Sequence, residues 1–322
     1  MPIAERQLIS QLRRKMRRRS REVVAGIGDD CSILRLPSGH ELLVTTDFSL
    51  EGVHFRREWQ SPECIGHRCL ARGLSDIAAM GGSPIAAFLS LALPEDMPEK
   101  WVGRFFSGLL RLARSYDVEL AGGDTAEFPG GVLADIVVIG SVPRGRALRR
   151  SGAKAGDQIF VTGGLGESAA ALQLLSAGKV RKRDVFPRPR IPVGEWLQAK
   201  GIASSAIDIS DGLSTDLSHI ANESGVGAAI EASAIPIHRT ARAEQNALEL
   251  ALHGGEDYEL LFTAANSKRV PARILGVKIT RVGEIVRGRR IDLIRNRKAE
   301  RLISGGWEHF RGKTAGTNTP GK

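Results

Sequence analysis

Six short segments of the 322-residue chain set a carboxylate beside glycine, serine or threonine: Gly28-Asp29-Asp30, Thr45-Thr46-Asp47, Ser75-Asp76, Gly122-Gly123-Asp124-Thr125, Asp208-Ile209-Ser210-Asp211-Gly212 and Gly254-Gly255-Glu256-Asp257. Any one alone reads as a turn, because Asp-Gly pairs are common turn formers. Recurring through both halves, they make an oxygen-only set of carboxylates and hydroxyls. Such a set suits Mg2+, which keeps waters and is bound by a few protein carboxylates together with substrate phosphates. Glycines let backbone N–H groups approach phosphate oxygens, and divalent ions offset the repulsion between carboxylate and phosphate. The chemistry that follows is a multi-metal phosphate site, hence nucleotide-dependent phosphoryl transfer.

Other nucleotide signatures are missing: no G-x-x-x-x-G-K-[ST] loop and no kinase catalytic loop occurs. Gly164-Leu165-Gly166-Glu167-Ser168-Ala169 fits a dinucleotide fingerprint after the apolar run Ile159-Phe160-Val161. The acid that should end a second strand about 20 residues on is represented only by Asp184, in a Pro-rich basic loop. A tight strand-to-helix turn near a phosphate is the better reading. Cys64, His67 and Cys69 lack a fourth ligand at metal-site spacing and read as ordinary helix residues.

The elements that must position these groups alternate β-branched apolar runs with segments of helical period, the pattern of an α/β chain. Strands are expected at 41–46, 85–93, 132–142, 157–162, 203–209, 228–232, 258–264 and 280–285. Helices are expected at 62–80, 99–116, 167–176, 214–223 and 242–252. Most of the carboxylates then fall where an element ends. The Gly- and Arg-rich stretch 143–156 reads as a linker between two halves, and 179–192, with Pro187, Pro189 and Pro192, as a loop. The expected organisation is a basic arm or helix over 1–25, a domain over 26–145, a second over 146–310, and a disordered tail over 311–322.

Hydrophobic residues make up 42% of the chain, enough to bury a core in each half and too many for a disordered protein. No apolar run approaches the roughly 20 residues of a spanning helix. The net charge of +10 sits at the ends. Eight Lys/Arg face two acids in residues 1–22 and eleven face four from Arg281 onward, leaving 27 bases against 30 acids between. The run Arg13, Arg14, Lys15, Arg17, Arg18, Arg19 and Arg21 could hold nucleic acid or an anionic surface, but no aromatics interleave to stack on bases, which favours a solvated arm. Its arginines faintly suggest a transit peptide, while an apolar core with a cleavage site, as in a secretory signal, is missing. Three cysteines with no C-x-x-C pair fit a reduced, cytoplasmic setting.

The blocks GIGDDCSIL, TTDFSLEGVHF, LSDIAAMGGSP, AGGDTAE, RRSGAKAGDQIFVTGGLGES, DISDGLSTDLSHIA and GGEDYELLFT resemble, in order, those of the thiamine-monophosphate kinase family. That family sits in the superfamily of aminoimidazole ribonucleotide synthetase and selenophosphate synthetase. The resemblance runs from Gly26 to about Phe310. It implies a two-domain α/β (α+β) fold of the aminoimidazole ribonucleotide synthetase type and a homodimer through the N-terminal halves, with the site between the domains. The implied reaction is ATP plus thiamine monophosphate giving ADP and thiamine diphosphate, by direct transfer with several Mg2+ ions; another ATP-dependent synthetase or maturation factor of the superfamily is the alternative. By position, Asp30, Thr45, Thr46, Asp47, Asp76, Asp124, Asp208 and Asp211 are the implied metal ligands. Phe106, Gly123, Asp124, Arg150 and Ser210 are the implied ATP contacts, and His54, Glu256 or Asp257 and Trp307 the implied substrate contacts. His54 also reads as a core histidine, Trp307 as an anchor for the C-terminal segment, and Asp216 as a first-turn acid that favours the helix dipole.

Overall fold

The structure is a computed structural model that describes residues 5–15, 21–27 and 31–307. Asp30, Arg17, Arg18 and Arg19 of the arginine run, and the tail from 308 lie outside the described residues.

The N-terminal half runs α1 (Glu5–Lys15), β1 (Val23–Ala25), β2 (Ile33–Leu34), β3 (His40–Leu50), α2 (Pro62–Ala79), β4 (Ser83–Leu93), α3 (Glu99–Ser115), β5 (Glu119–Glu127) and β6 (Leu133–Pro143). Four of its strands pair in the order β3-β6-β4-β5, with only β4 and β5 parallel. The C-terminal half runs β7 (Gln158–Thr162), α4 (Glu167–Ser176), α5 (Ile191–Lys200), β8 (Ala203–Asp208), α6 (Leu213–Ser224), β9 (Gly227–Glu231), α7 (Arg239–Arg242), α8 (Ala247–His253), β10 (Leu260–Ala264), β11 (Arg273–Ile274), β12 (Val277–Val286), β13 (Ile291–Arg295) and β14 (Lys298–Arg301). Its sheet has the order β14-β13-β9-β12-β7-β10-β8. The mixed α/β expectation is met.

Several local expectations are corrected. Gly122-Gly123-Asp124-Thr125 is not a turn but the middle of β5, and Asp47 lies inside β3. Ser75-Asp76 lies within α2, not at a turn. The expected helix 242–252 is two, α7 and α8, and α5 starts inside the region read as a loop, with Pro192 in its first turn, where proline is tolerated.

Helix α2 is the element on which the site depends. Ser61 caps its N-terminus by accepting from the Cys64 N–H at 3.2 Å, and Pro62 opens its first turn. One side packs on α3 so closely that only glycine fits: a Cβ on Gly66 would lie 2.0 Å from the Phe105 carbonyl oxygen, and one on Gly108 1.9 Å from that of Glu63. Backbone cannot yield cheaply there, so Gly108→Ala should lower stability by about 1–3 kcal/mol, read as a lower urea midpoint at unchanged slope. Another side carries the segment 179–190. Its Asp184 Oδ1 accepts from the Ser61 N–H at 2.8 Å, and its Val185 carbonyl accepts from Cys64 Sγ and from Arg68, each at 3.3 Å. The Pro187 carbonyl lies 2.7 Å from His67 Nε2, which must therefore carry the proton. Cys64 and Cys69 are buried, and burial pushes both thiols up to about 12. Neither offers a thiolate to a metal. Among the described residues, no helix is long and apolar enough to cross a membrane.

Candidate active site

Three carboxylates from three elements meet where α2 faces both sheets: Asp47 of β3, Asp76 of α2 and Asp208 at the end of β8. Strand alternation turns Thr45 and Asp47 to one face. Helix α2 crosses that face, and Thr45 Oγ1 donates a short hydrogen bond to Asp76 Oδ2. Ser75 reaches the other half, donating to Asp208 Oδ2 at 2.8 Å. Burial, then the charge of Asp76, pushes Asp47 up to about 7. Burial, then Asp76 and Asp47, pushes Asp208 up to about 8. Asp76 is raised too, again chiefly by burial. Arg150 acts on Asp76 and Asp208 through its charge and is the cation nearest in effect to both.

Crowded carboxylates that resist ionising together want a counter-charge. The donors are carboxylates and hydroxyls only, with no thiolate or imidazole in the group, which fits a hard divalent ion such as Mg2+.

The remaining candidates divide. Thr46 points to the opposite face and donates to Asp135 Oδ1 at 2.8 Å, away from Asp76. Asp124 is exposed on β5, its Oδ1 accepting from the Thr125 N–H at 2.9 Å. The register carries Asp47 across Ile136 and Leu89 to Gly123, so Asp124 stands three strands away, about 14 Å at the usual strand spacing. Gly123 has φ +144, and a Cβ there would lie 1.9 Å from the Leu89 carbonyl oxygen, so the position requires glycine. Phe106 is 2% exposed, edge-on to Phe105 at 5.6 Å; its ring is core and offers no free face to a base.

Ser210 and Asp211 form the turn after β8, and both backbone N–H groups donate to Asp216 Oδ2, at 3.1 and 3.2 Å. Asp216 is thus buried in the first turn of α6, with carboxylate oxygens of Asp211 and Asp216 and a ring nitrogen of His219 all within 4.8 Å of one another. Reading Asp216 as a dipole residue missed this; its signal was the five-residue step from Asp211 across a glycine. The C-terminal segment closes over the same turn: the Trp307 N–H donates to the Asp211 carbonyl at 3.2 Å, leaving its indole half exposed.

His54 is half-buried, not core, and its Nδ1 accepts from the Leu50 N–H at 3.0 Å, so the neutral ring carries its proton on Nε2. Glu256 and Asp257 do different things. Asp257 is half-buried and caps α4, accepting from the Gly166 N–H at 2.6 Å and the Ser168 N–H at 3.5 Å. The turn expected to approach a phosphate is therefore filled by the protein's own carboxylate. Glu256, at φ +62, gives Oε1 to Arg72 at 2.7 Å and Oε2 to Arg68 in a short contact. Burial opposes its charge, yet the Arg68 and Arg72 guanidinia hold it below the usual carboxylate range. Both arginines come from α2 and were not singled out by sequence.

The chain matches two family models: AIR synthase related protein, N-terminal domain, over residues 28–142, and its C-terminal domain over 154–296. It is 39% identical to thiamine-monophosphate kinase of Escherichia coli (strain K12), covering 96% of this chain and 99% of that protein. Against that of Bacillus subtilis (strain 168) the identity is 35%, over 90% and 94%. Its fold matches the crystal structure of thiamine-monophosphate kinase from Stenotrophomonas maltophilia K279a with a TM-score of 0.81 and 38% identity, over 91% and 97%. AaThiL complexed with AMPPCP and TMP matches with a TM-score of 0.76 and 31% identity, over 96% and 99%. The α/β architecture, the ordered carboxylate segments and these near full-length identities agree, and the chain belongs to the thiamine-monophosphate kinase family of AIR synthase related proteins, a family of phosphotransferase enzymes.

Proposed function

We propose that the chain phosphorylates thiamine monophosphate to thiamine diphosphate at the expense of ATP, with Mg2+, by direct in-line transfer. The observation that carries this reading is the convergence of Asp47, Asp76 and Asp208 from two halves on one spot. A phosphate oxygen of the acceptor attacks the γ-phosphorus, the bond to the β-phosphate bridging oxygen breaks, and ADP leaves with the electron pair. That nucleophile is already anionic, so no side chain need act as base, and positioning and electrostatics carry the rate. Asp47, Asp76 and Asp208, with Thr45 and Asp211, would hold Mg2+, which when bound neutralises phosphate charge; by resemblance Asp30 and Asp124 join them. Ser75 orients Asp208. Arg150 supports the nucleotide side, since arginine stays protonated and forks onto phosphate oxygens. Trp307 would cover the cationic thiazolium by cation–π contact.

The same reading divides the chain into units at 26–145 and 146–310, places it in the cytoplasm with cysteines 31, 64 and 69 free, and makes it a homodimer through β3. Leu42, Val44 and Phe48 share one face of that edge strand and stay at least half exposed, a patch that a second copy would cover. Wild-type protein is expected to run as a dimer in light scattering and Val44→Asp as a monomer; a monomeric wild type removes the dimer.

Purified protein given ATP, Mg2+ and thiamine monophosphate, with thiamine in parallel, tests the reaction. Thiamine diphosphate from the monophosphate alone is the expected result. ADP released only with a different acceptor would move the chain to the superfamily's synthetases or maturation factors.

A further inference from the structure

Arg68, Arg72 and Asp76 stand four residues apart on α2 and so line one face of it, one turn above another. Asp76 belongs to the carboxylate group; the two arginines extend that face toward Glu256. Arg68 is 5% exposed and is committed three ways: to Glu256, to the Val185 carbonyl at 3.3 Å and to Ser168 Oγ at 3.5 Å. Arg72 is committed less completely. One terminal nitrogen donates to the Phe48 carbonyl at 2.6 Å, beside Asp47, and the other to Glu256 Oε1 at 2.7 Å. Its Nε is buried with no hydrogen-bond partner among the described residues. Two guanidinia share the one carboxylate of Glu256, and the charge of Arg72 is otherwise felt by Asp47; with Asp47 taken up by Mg2+, one positive charge is left over. The surplus sits next to Asp47, where phosphates would gather.

Resting on the reaction proposed above, we infer that Arg72, braced by Arg68 through Glu256, is the specificity-determining residue by which the site takes a phosphorylated acceptor and refuses the free alcohol. Thiamine is a cation, and a surplus guanidinium repels it. Its monophosphate ester brings an anion that the same guanidinium attracts, so one group supplies both the attraction and the repulsion that specificity needs. Glu256 lies in a left-handed backbone conformation and presents both carboxylate oxygens to two arginines on a helix of the other half.

Steady-state kinetics of the full-length protein test this. Arg72→Gln should raise the KM for thiamine monophosphate about 10- to 100-fold, leave the KM for ATP within about threefold, and weaken inhibition by inorganic phosphate in parallel. Arg72→Lys should recover part of the loss, keeping the charge without the fork. Inhibition by thiamine should be unchanged or stronger in Arg72→Gln. A fall in kcat with KM for the monophosphate and phosphate inhibition unchanged overturns the inference and leaves the pair a structural brace. Should Arg72→Gln not fold, Glu256→Gln decides, because it removes the negative charge the two guanidinia share: inorganic phosphate should then inhibit more strongly, and unchanged or weaker inhibition overturns the inference. If wild-type protein phosphorylates neither acceptor, the proposed reaction fails on its own, and calorimetric titration of wild type and Arg72→Gln with inorganic phosphate still reads the arginine, with equal affinity counting against it.

Discussion

Asp47→Asn should reduce thiamine diphosphate formation by roughly 10^3-fold or more while making the metal-free protein more stable, not less. On the proposed metal assignment, losing Asp47 removes several kcal/mol of transition-state stabilisation, and each 1.4 kcal/mol is a factor of ten. Stability moves the other way because burial and the Asp76 charge already disfavour ionised Asp47 in the fold. Asparagine keeps the shape and discards the repulsion. Activity and melting temperature measured without Mg2+ on the same preparation check the claim. A variant that loses activity and also melts lower would point to structural damage, and one that keeps full activity would remove Asp47 from the site. Asp124→Asn asks a separate question, since about 14 Å of sheet separates it from Asp47. A comparable loss would mean that bound nucleotide phosphates extend across the sheet to β5.

The elements of the fold differ in how far sequence disclosed them, for physical reasons. Strands such as β4 and β6 are apolar runs bounded by turn signals, α2 carries a serine cap, and α2 and α3 carry an apolar period, so local patterning reports them. Strand β5 was hidden because Gly122-Gly123 signals a turn, whereas the close approach of β4 requires glycine at Gly123 within a strand. Helix α5 was hidden behind Pro187 and Pro189, which precede it, and Pro192, which only its first turn tolerates. In the site, carboxylates in small-residue segments were legible because their chemistry is recognisable one segment at a time. Their partners were not. Ser75 meets Asp208 across 133 residues and Arg72 meets Glu256 across 184, and an arginine inside an amphipathic helix looks solvated until the fold buries it. Asp257 is the converse case: a carboxylate in a promising Gly-Gly-Glu-Asp segment turns out to cap α4.

Without divalent metal, the protein should lose stability as the pH rises from about 5 to 8, and Mg2+ should remove most of that slope. Asp47 and Asp208 titrate near their ordinary value in the unfolded chain but near about 7 and about 8 in the fold. Between those limits the folded state binds more protons than the unfolded state, so the unfolding free energy falls with pH. The two groups are coupled, which keeps their joint contribution to the order of a few kcal/mol, or a shift of roughly 5 °C or more in melting temperature. Asp257, raised to about 7 by burial at the N-terminus of α4, adds a slope of the same sign that Mg2+ cannot remove. Glu256 contributes in the opposite sense only as pH falls below the usual glutamate range, because its folded value is lowered. Melting curves from pH 5 to 8, with chelator and with saturating Mg2+, therefore separate the carboxylate group from the rest of the protein. Asp208→Asn should flatten the chelator profile and leave the Mg2+ profile little changed in shape. A chelator profile that is level in wild type, or one that Mg2+ leaves as steep as before, would mean that Asp47, Asp76 and Asp208 do not share charge as their packing requires, and the metal assignment would go with it.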